Sequence, residues 1–266
     1  MRTSIVTAYH NRKQLVVNTL NSIQRYQQND LEVIIVDDCS DEEHRLEDVA
    51  GKYPFVKLIR LEKEDKWYHC CCIPFNIGFK EASGDIIIIQ NPECLHVGDI
   101  ISYSQKLQKN QYITFGCYSI DNNNTNAIKE IPSLTTENII KTISGINSRI
   151  VSHNGDNGWY NHSNYRPVFY HFCSMMHRRH LSELKGFDER YGKGRGYDDD
   201  ELLARIKKMG LDVTMLDDPF VIHQNHYSGV AIPNVENLIS HNRNILVNTT
   251  LKGSSWQAPD NTYYNG

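Results

Sequence analysis

Ser83-Gly84-Asp85-Ile86-Ile87-Ile88-Ile89-Gln90-Asn91-Pro92-Glu93 decides the architecture of this chain. Four consecutive isoleucines leave no polar face, which suits a strand covered on both sides, so Ile86 to Ile89 is expected to be a buried central strand. The run ends on Gln90-Asn91-Pro92-Glu93, polar residues where open α/β sheets bind ligands.

Upstream, strands and helices alternate, the pattern of a mainly parallel sheet flanked by helices. Strand one is read over Ser4 to Ala8, followed by a helix from about Lys13 with Val16, Leu20 and Ile23 on one face and Asn11 as its cap. Val33 to Val36 forms a second strand ending in Asp37-Asp38-Cys39-Ser40, with a charged helix from about Asp41 to Lys52 and a third strand over Val56 to Leu61. A helical segment, Ile100 to Gln108, and a strand, Tyr112 to Phe115, come next, and Asp121 to Asn126 reads as a polar loop. The aromatic and polar mixture Trp159 to Pro167 suits sugar rings or ordinary loop packing equally.

The second distinctive stretch is Gly186-Phe187-Asp188-Glu189-Arg190-Tyr191, running through Gly194-Arg195-Gly196-Tyr197 into Asp198-Asp199-Asp200-Glu201 and Leu202-Leu203-Ala204-Arg205. Leu202, Ile206 and Met209 mark one face of a helix ending at Gly210, so the four acids occupy its first turn. Carboxylates are favoured there by the helix dipole, but four adjacent ones repel, and that crowding points to a functional cluster.

The 266 residues carry 39% hydrophobic and 23% charged side chains, enough for one substantial core, and the formal net charge of −4 argues against a nucleic-acid partner. No run of about 18 apolar residues occurs, and the chain opens directly on a strand, so neither a membrane span nor a signal peptide is expected. Seven cysteines without paired Cys-x-x-Cys spacing fit a reducing compartment, the cytoplasm, and the run Cys70-Cys71-Cys72 is expected to pack as small apolar residues. One domain is expected over 1–247, with a donor half (1–120) and an acceptor half (121–247), and a tail over 248–266.

Taken together, these motifs resemble an inverting nucleotide-sugar glycosyltransferase of the GT-A fold, family 2, with a C-terminal part similar to the galactosyltransferase family. The resemblance covers roughly residues 1 to 230, most of one domain, and rests on Thr7-Ala8-Tyr9-His10-Asn11, Asp37-Asp38-Cys39-Ser40, Asn76-x-Gly78, Ala82-Ser83-Gly84-Asp85 and the glycine-led acid stretch. It implies an α/β, Rossmann-like nucleotide-binding fold whose mixed, mainly parallel sheet is flanked by helices. It further implies that Asp38 accepts the uracil N3 proton of a UDP-sugar, that Thr7, Tyr9 and Asn91 line the donor site, and that Asp199 is the general base. Asp198, Asp200, Tyr197 and Trp159 would hold the carbohydrate or glycoconjugate acceptor. A divalent metal, Mn2+ with Mg2+ as the second candidate, would sit on Glu93 and His223, with His226 in reserve.

The chain departs from the family pattern at Phe75, where an arginine is common, and at Asn91-Pro92-Glu93, where two aspartates are usual. These departures raise the alternative of a catalytically silent nucleotide-sugar or carbohydrate-binding protein on the same fold. A sugar nucleotidyltransferase would need a glycine-rich phosphate loop after strand one, which Thr7 to Asn11 does not resemble.

Overall fold

The computed structural model describes residues 1–27, 30–143, 145–146, 148–226, 233–251 and 258–265. Its strands are β1 (Thr3–Tyr9), β2 (Leu31–Asp38), β3 (Val56–Leu61), β4 (Ile86–Gln90), β5 (Cys94–Val97), β6 (Gln111–Ser119), β7 (Gly158–Asn161), β8 (Cys173–His177) and β9 (Asp212–His223). Its helices are α1 (Lys13–Gln24), α2 (Glu47–Ala50), α3 (Cys72–Glu81), α4 (Asn122–Lys129), α5 (Thr136–Thr142), α6 (Arg178–Leu184), α7 (Asp198–Lys208), α8 (Val235–Ile245) and α9 (Thr262–Asn265).

All nine strands join one sheet in the order β3-β2-β1-β4-β8-β6-β9-β5, with β7 added to β6. The isoleucine strand β4 is fully buried near the centre, between parallel β1 and antiparallel β8. Its alternate residues feed two cores: Ile86 and Ile88 pack with α1 residues Leu20 and Ile23, and Ile87 and Ile89 with Phe75 and Phe79 of α3. The β3-β2-β1-β4 half is parallel, as a strand-helix alternation requires, whereas the second half mixes directions: β9 runs parallel to β6 but antiparallel to β5.

Several local expectations are corrected. Asn11 does not cap α1. It sits at φ +50°, and its side-chain amide bonds Asp41, tying the β1 turn to the β2 turn. The charged stretch after β2 breaks into a 3-10 turn (Glu42–His44) and the four-residue α2. The asparagine-rich stretch is helical, because Asp121 accepts the Asn124 N–H at 2.8 Å as an N-cap and Ile128 is buried. The first part of strand β9, from Asp212, has no counterpart among the expected elements, because it is only half-buried and lacks a clear apolar signature.

The motif around Asn76 shows how the two halves are locked together. The Asn76 side chain accepts the Phe187 N–H at 2.8 Å and donates to the Phe187 carbonyl at 2.9 Å, pinning Gly186-Phe187-Asp188 to α3. Gly78 lets the same helix lie against the sheet, since a Cβ there would come within 2.5 Å of Val6. The described end of the expected tail folds back on this region: Glu189 accepts the N–H groups of Thr262, Tyr263 and Tyr264 at 2.7, 2.9 and 3.2 Å. Residues 252–257 and 227–232 lie outside the described residues.

Candidate active site

Three groups of polar side chains lie beyond the strand ends, and the chain connects them physically. The first surrounds Asp38, at the end of β2. Its two carboxylate oxygens accept bonds from Lys66 Nζ and the Tyr68 hydroxyl, each at 2.7 Å, while neighbouring Asp37 is buried against Arg60 at 3.0 Å. A cavity of about 330 Å³ opens beside Tyr68, bounded also by Arg60, Asp65, Ile77 and Tyr263. Thr7 is buried with its hydroxyl unbonded, and Tyr9 is wholly buried, donating to the His44 carbonyl at 2.6 Å and accepting from the Arg12 N–H at 3.2 Å. Tyr9 therefore spends its hydroxyl on organising the turn that carries Arg12.

The second group centres on Glu93, which directly precedes β5. Because Cys94 pairs with His223 across the β5-β9 ladder, the glutamate meets the end of β9. His223 Nε2 and His226 Nε2 converge on the same oxygen, Glu93 Oε1, at 3.0 and 3.2 Å, and Arg12 holds the other at 2.8 Å. Burial alone would raise the Glu93 carboxyl, but the Arg12 charge and the imidazole hydrogen bonds outweigh it and hold the group well below the usual carboxylate range. Burial lowers His223, which favours the neutral imidazole that binds metals.

This donor set fits a borderline divalent ion. Ligands about 2.1 Å from an ion at right angles lie about 3.0 Å apart, which the nitrogen-to-oxygen spacings match. One carboxylate with two imidazoles suits Mn2+ better than Mg2+, which prefers oxygen ligands throughout. Half-buried Asn91 gives its backbone N–H to the Phe172 carbonyl at 3.0 Å.

The third group is the acid run on the first turn of α7. Glu201 turns inward to Arg205, at 2.5 and 2.6 Å, and that guanidinium also caps the carbonyls of Leu184 and Gly186. Glu201 is thus engaged in holding α7 against the Leu184–Gly186 turn. Asp199 is ion-paired with Nδ1 of buried His171, and Asp200 accepts the Tyr170 hydroxyl at 3.0 Å. Burial disfavours a charged His171, yet the Asp199 carboxylate prevails and raises it above its ordinary value. Asp198 is pushed up to about 6 by burial and by Asp199. Tyr197 occupies the helix N-cap at φ +64°.

Residues 170–172 bridge the second and third groups. Tyr170 holds Asp200, His171 holds Asp199, and the Phe172 ring meets His223 edge-on at 5.9 Å. The loop before α3 bridges the first and third: Lys66 and Tyr68 hold Asp38, His69 N–H bonds the Gly192 carbonyl at 2.7 Å, and Cys71 Sγ faces Asp198 at 3.6 Å. Phe75 packs against His171 and Phe187, with ring centroids 5.6 and 5.5 Å away, so it buttresses the imidazole.

Among the residues expected at the site, Trp159 stands apart. It is buried against Tyr118 and Phe220, and its indole N–H bonds the Ser148 carbonyl at 2.9 Å. Arg12, Tyr68, Tyr170 and His171 are site residues that sequence reasoning passed over. None lies in a motif with a spacing rule, and only the fold brings them to the carboxylates.

The family model for glycosyl transferase family 2 matches residues 4–184. That is more than half of the chain, which therefore belongs to this family. A second model, described as the N-terminal domain of galactosyltransferase, matches residues 159–227. A dolichol-phosphate mannosyltransferase of Pyrococcus furiosus is 30% identical over 104 residues, covering 38% of this chain and 28% of that protein. The mannosyltransferase PcManGT from Pyrobaculum calidifontis, solved with GDP-Man and Mn2+, superposes with a TM-score of 0.55 at 16% identity, over 86% of this chain and 58% of that one. S. aureus TarS 1–349 in complex with UDP-GlcNAc superposes with a TM-score of 0.62 at 14% identity, over 93% of this chain and 66% of that one. In each case the match spans less than two thirds of the relative's own length. These likenesses establish the GT-A fold. No helix among the described residues is long and apolar enough to cross a membrane.

Proposed function

We propose that the protein transfers a sugar from a UDP-sugar to the hydroxyl of a carbohydrate or glycoconjugate acceptor, with inversion and with Asp199 as the general base. The observation that carries this reading is the bridge through residues 170–172. It sets a candidate ion site at Glu93, His223 and His226 beside a carboxylate held by a buried imidazole. Nucleotide sugars in two of the fold's solved relatives support a nucleotide-sugar donor.

Direct displacement requires a carboxylate to take the acceptor's proton as its oxygen attacks the anomeric carbon opposite the leaving diphosphate. Asp199 serves as that carboxylate, with His171 fixing its orientation. Asp198 and Asp200 hold acceptor hydroxyls, Asp200 itself steadied by Tyr170. A bound divalent ion would neutralise charge on the leaving diphosphate. Arg12, on the second oxygen of Glu93, orients that carboxylate. On the donor side, Asp38 accepts a hydrogen bond from the uracil imide N–H, using acceptor capacity that Lys66 and Tyr68 leave on its two oxygens.

The test is UDP release from a panel of UDP-sugars with Mn2+ present, followed by NMR assignment of the product's anomeric configuration. Sugar-dependent UDP release with an inverted anomer is expected. Retention of configuration would refute the single-displacement step, and binding without UDP release from any donor would favour a silent binding protein.

A further inference from the structure

The thiols of Cys70 and Cys71 have no part in this transfer chemistry, yet the chain sets them against the acid cluster. Cys71 is exposed, and its sulfur lies 3.6 Å from Asp198 Oδ2. One sulfur from each cysteine and one Asp198 oxygen all lie within 4.8 Å of one another. A tetrahedral ion bonded to sulfur at about 2.3 Å and to oxygen at about 2.0 Å separates such ligands by about 3.5–3.8 Å. The 3.6 Å separation of Cys71 from Asp198 already matches this, and the 4.8 Å limit leaves at most about 1 Å for Cys70 to close on an ion.

The electrostatics favour a cation there as well. Asp198 is buried, and among the described residues no lysine or arginine is ion-paired with Asp198 or Asp199; His171 is the basic partner. Burial and the Asp199 charge make ionisation of Asp198 costly, and a cation would relieve that cost. His171, Asp198 and Asp199 form a second ligand triplet that shares Asp198 with the thiols, so a fourth ligand is close by. The two candidate ion sites also differ in chemistry: Glu93 with two imidazoles is borderline, whereas a thiol pair is soft and selects zinc-like ions.

We propose that Cys70, Cys71 and Asp198 form a second metal site, specific for a thiophilic divalent ion of the zinc class, whose occupation blocks the acceptor side of the active site. Binding displaces the two thiol protons to solvent and places sulfur-metal bonds beside Asp199. The binding claim stands on the cluster alone. The inhibitory consequence rests on the assignment of Asp198 and Asp199 to the acceptor side.

Cd2+ titrated into the intact chain under a phosphine reductant reports thiolate ligation directly, through sulfur-to-cadmium charge-transfer absorption. One equivalent is expected to saturate the band, Cys71→Ser to abolish it, Glu93→Gln to preserve it, and Asp198→Asn to weaken binding at least about tenfold by removing a ligand. With Mn2+ in excess, micromolar Zn2+ should inhibit transfer by the wild-type protein and require at least about tenfold more metal to inhibit Cys71→Ser. No band in the wild-type protein, or an unchanged band in Cys71→Ser, would overturn the site. Zinc bound there without slowing transfer would overturn the inhibitory role, while the Asp199 assignment is judged separately by Asp199→Asn.

Discussion

His171 Nδ1 is ion-paired with Asp199 in a buried setting, on a tripeptide whose next residue, Phe172, packs against His223. The proposed base and the candidate ion site are thereby fixed to one short piece of backbone. A carboxylate acting as base must be held to within a fraction of an ångström, and this pairing supplies the constraint.

Replacing the imidazole should therefore loosen the base without touching donor contacts. His171→Gln is expected to lower kcat by about 10- to 100-fold and leave the donor KM within about twofold. Steady-state kinetics across donor concentrations checks this split; a rise in donor KM with kcat intact would place His171 on the donor side.

Glu93 is the residue on which both imidazoles and Arg12 converge. Glu93→Gln should weaken Mn2+ binding at least about tenfold, since a neutral amide replaces the one anionic ligand. Electron paramagnetic resonance of free Mn2+ measures this without reference to turnover. Asp199→Asn should leave Mn2+ affinity unchanged in the same measurement.

Asp198 gives the stability a defined pH dependence. Its folded-state value of about 6 lies above the ordinary 3.8, so between those values the folded chain binds more protons than the unfolded chain. Stability from this group is therefore lost as pH rises through that window. Asp198→Asn, neutral throughout, should raise Tm above pH 7 by on the order of 5 °C and give no gain near pH 4. Thermal unfolding of both proteins at the two pH values decides it.

Gly186 has φ +65°, and a Cβ there would lie 2.3 Å from Asn76 Oδ1. Gly186→Ala forces a side chain into an unfavourable backbone region and into the bond that pins Phe187. A loss of more than about 2 kcal/mol is expected, read from the urea midpoint. An unchanged midpoint would show that the Asn76 clamp yields at no cost.

What the sequence disclosed follows from how local each signal is. The Ile86–Ile89 and Val33–Val36 runs were legible as strands because their apolar patterns are continuous. The helix start at Asp198 and its buried Leu202 and Ile206 were legible from spacing. Glu93, His223 and His226 could be named as candidate ligands through family resemblance, and the convergence of their side chains depends on the register of β5 against β9. His171 could not be found in this way. It reaches Asp199 only because β8 lies beside β4, with Cys173 opposite Gln90, and an isolated histidine before a strand carries no such information. Trp159 shows the opposite failure, since an aromatic in a polar loop reads the same whether it stacks on a sugar or, as here, packs against Tyr118 and Phe220.

The role of Asp199 is tested most directly by comparing Asp199→Asn with the wild-type protein in UDP-sugar turnover, with UDP and Mn2+ binding followed in parallel by thermal shift. The asparagine keeps the shape and removes the proton acceptor. Turnover is expected to fall at least about a hundredfold while the thermal shift is retained. Near-normal transfer by Asp199→Asn would contradict the account.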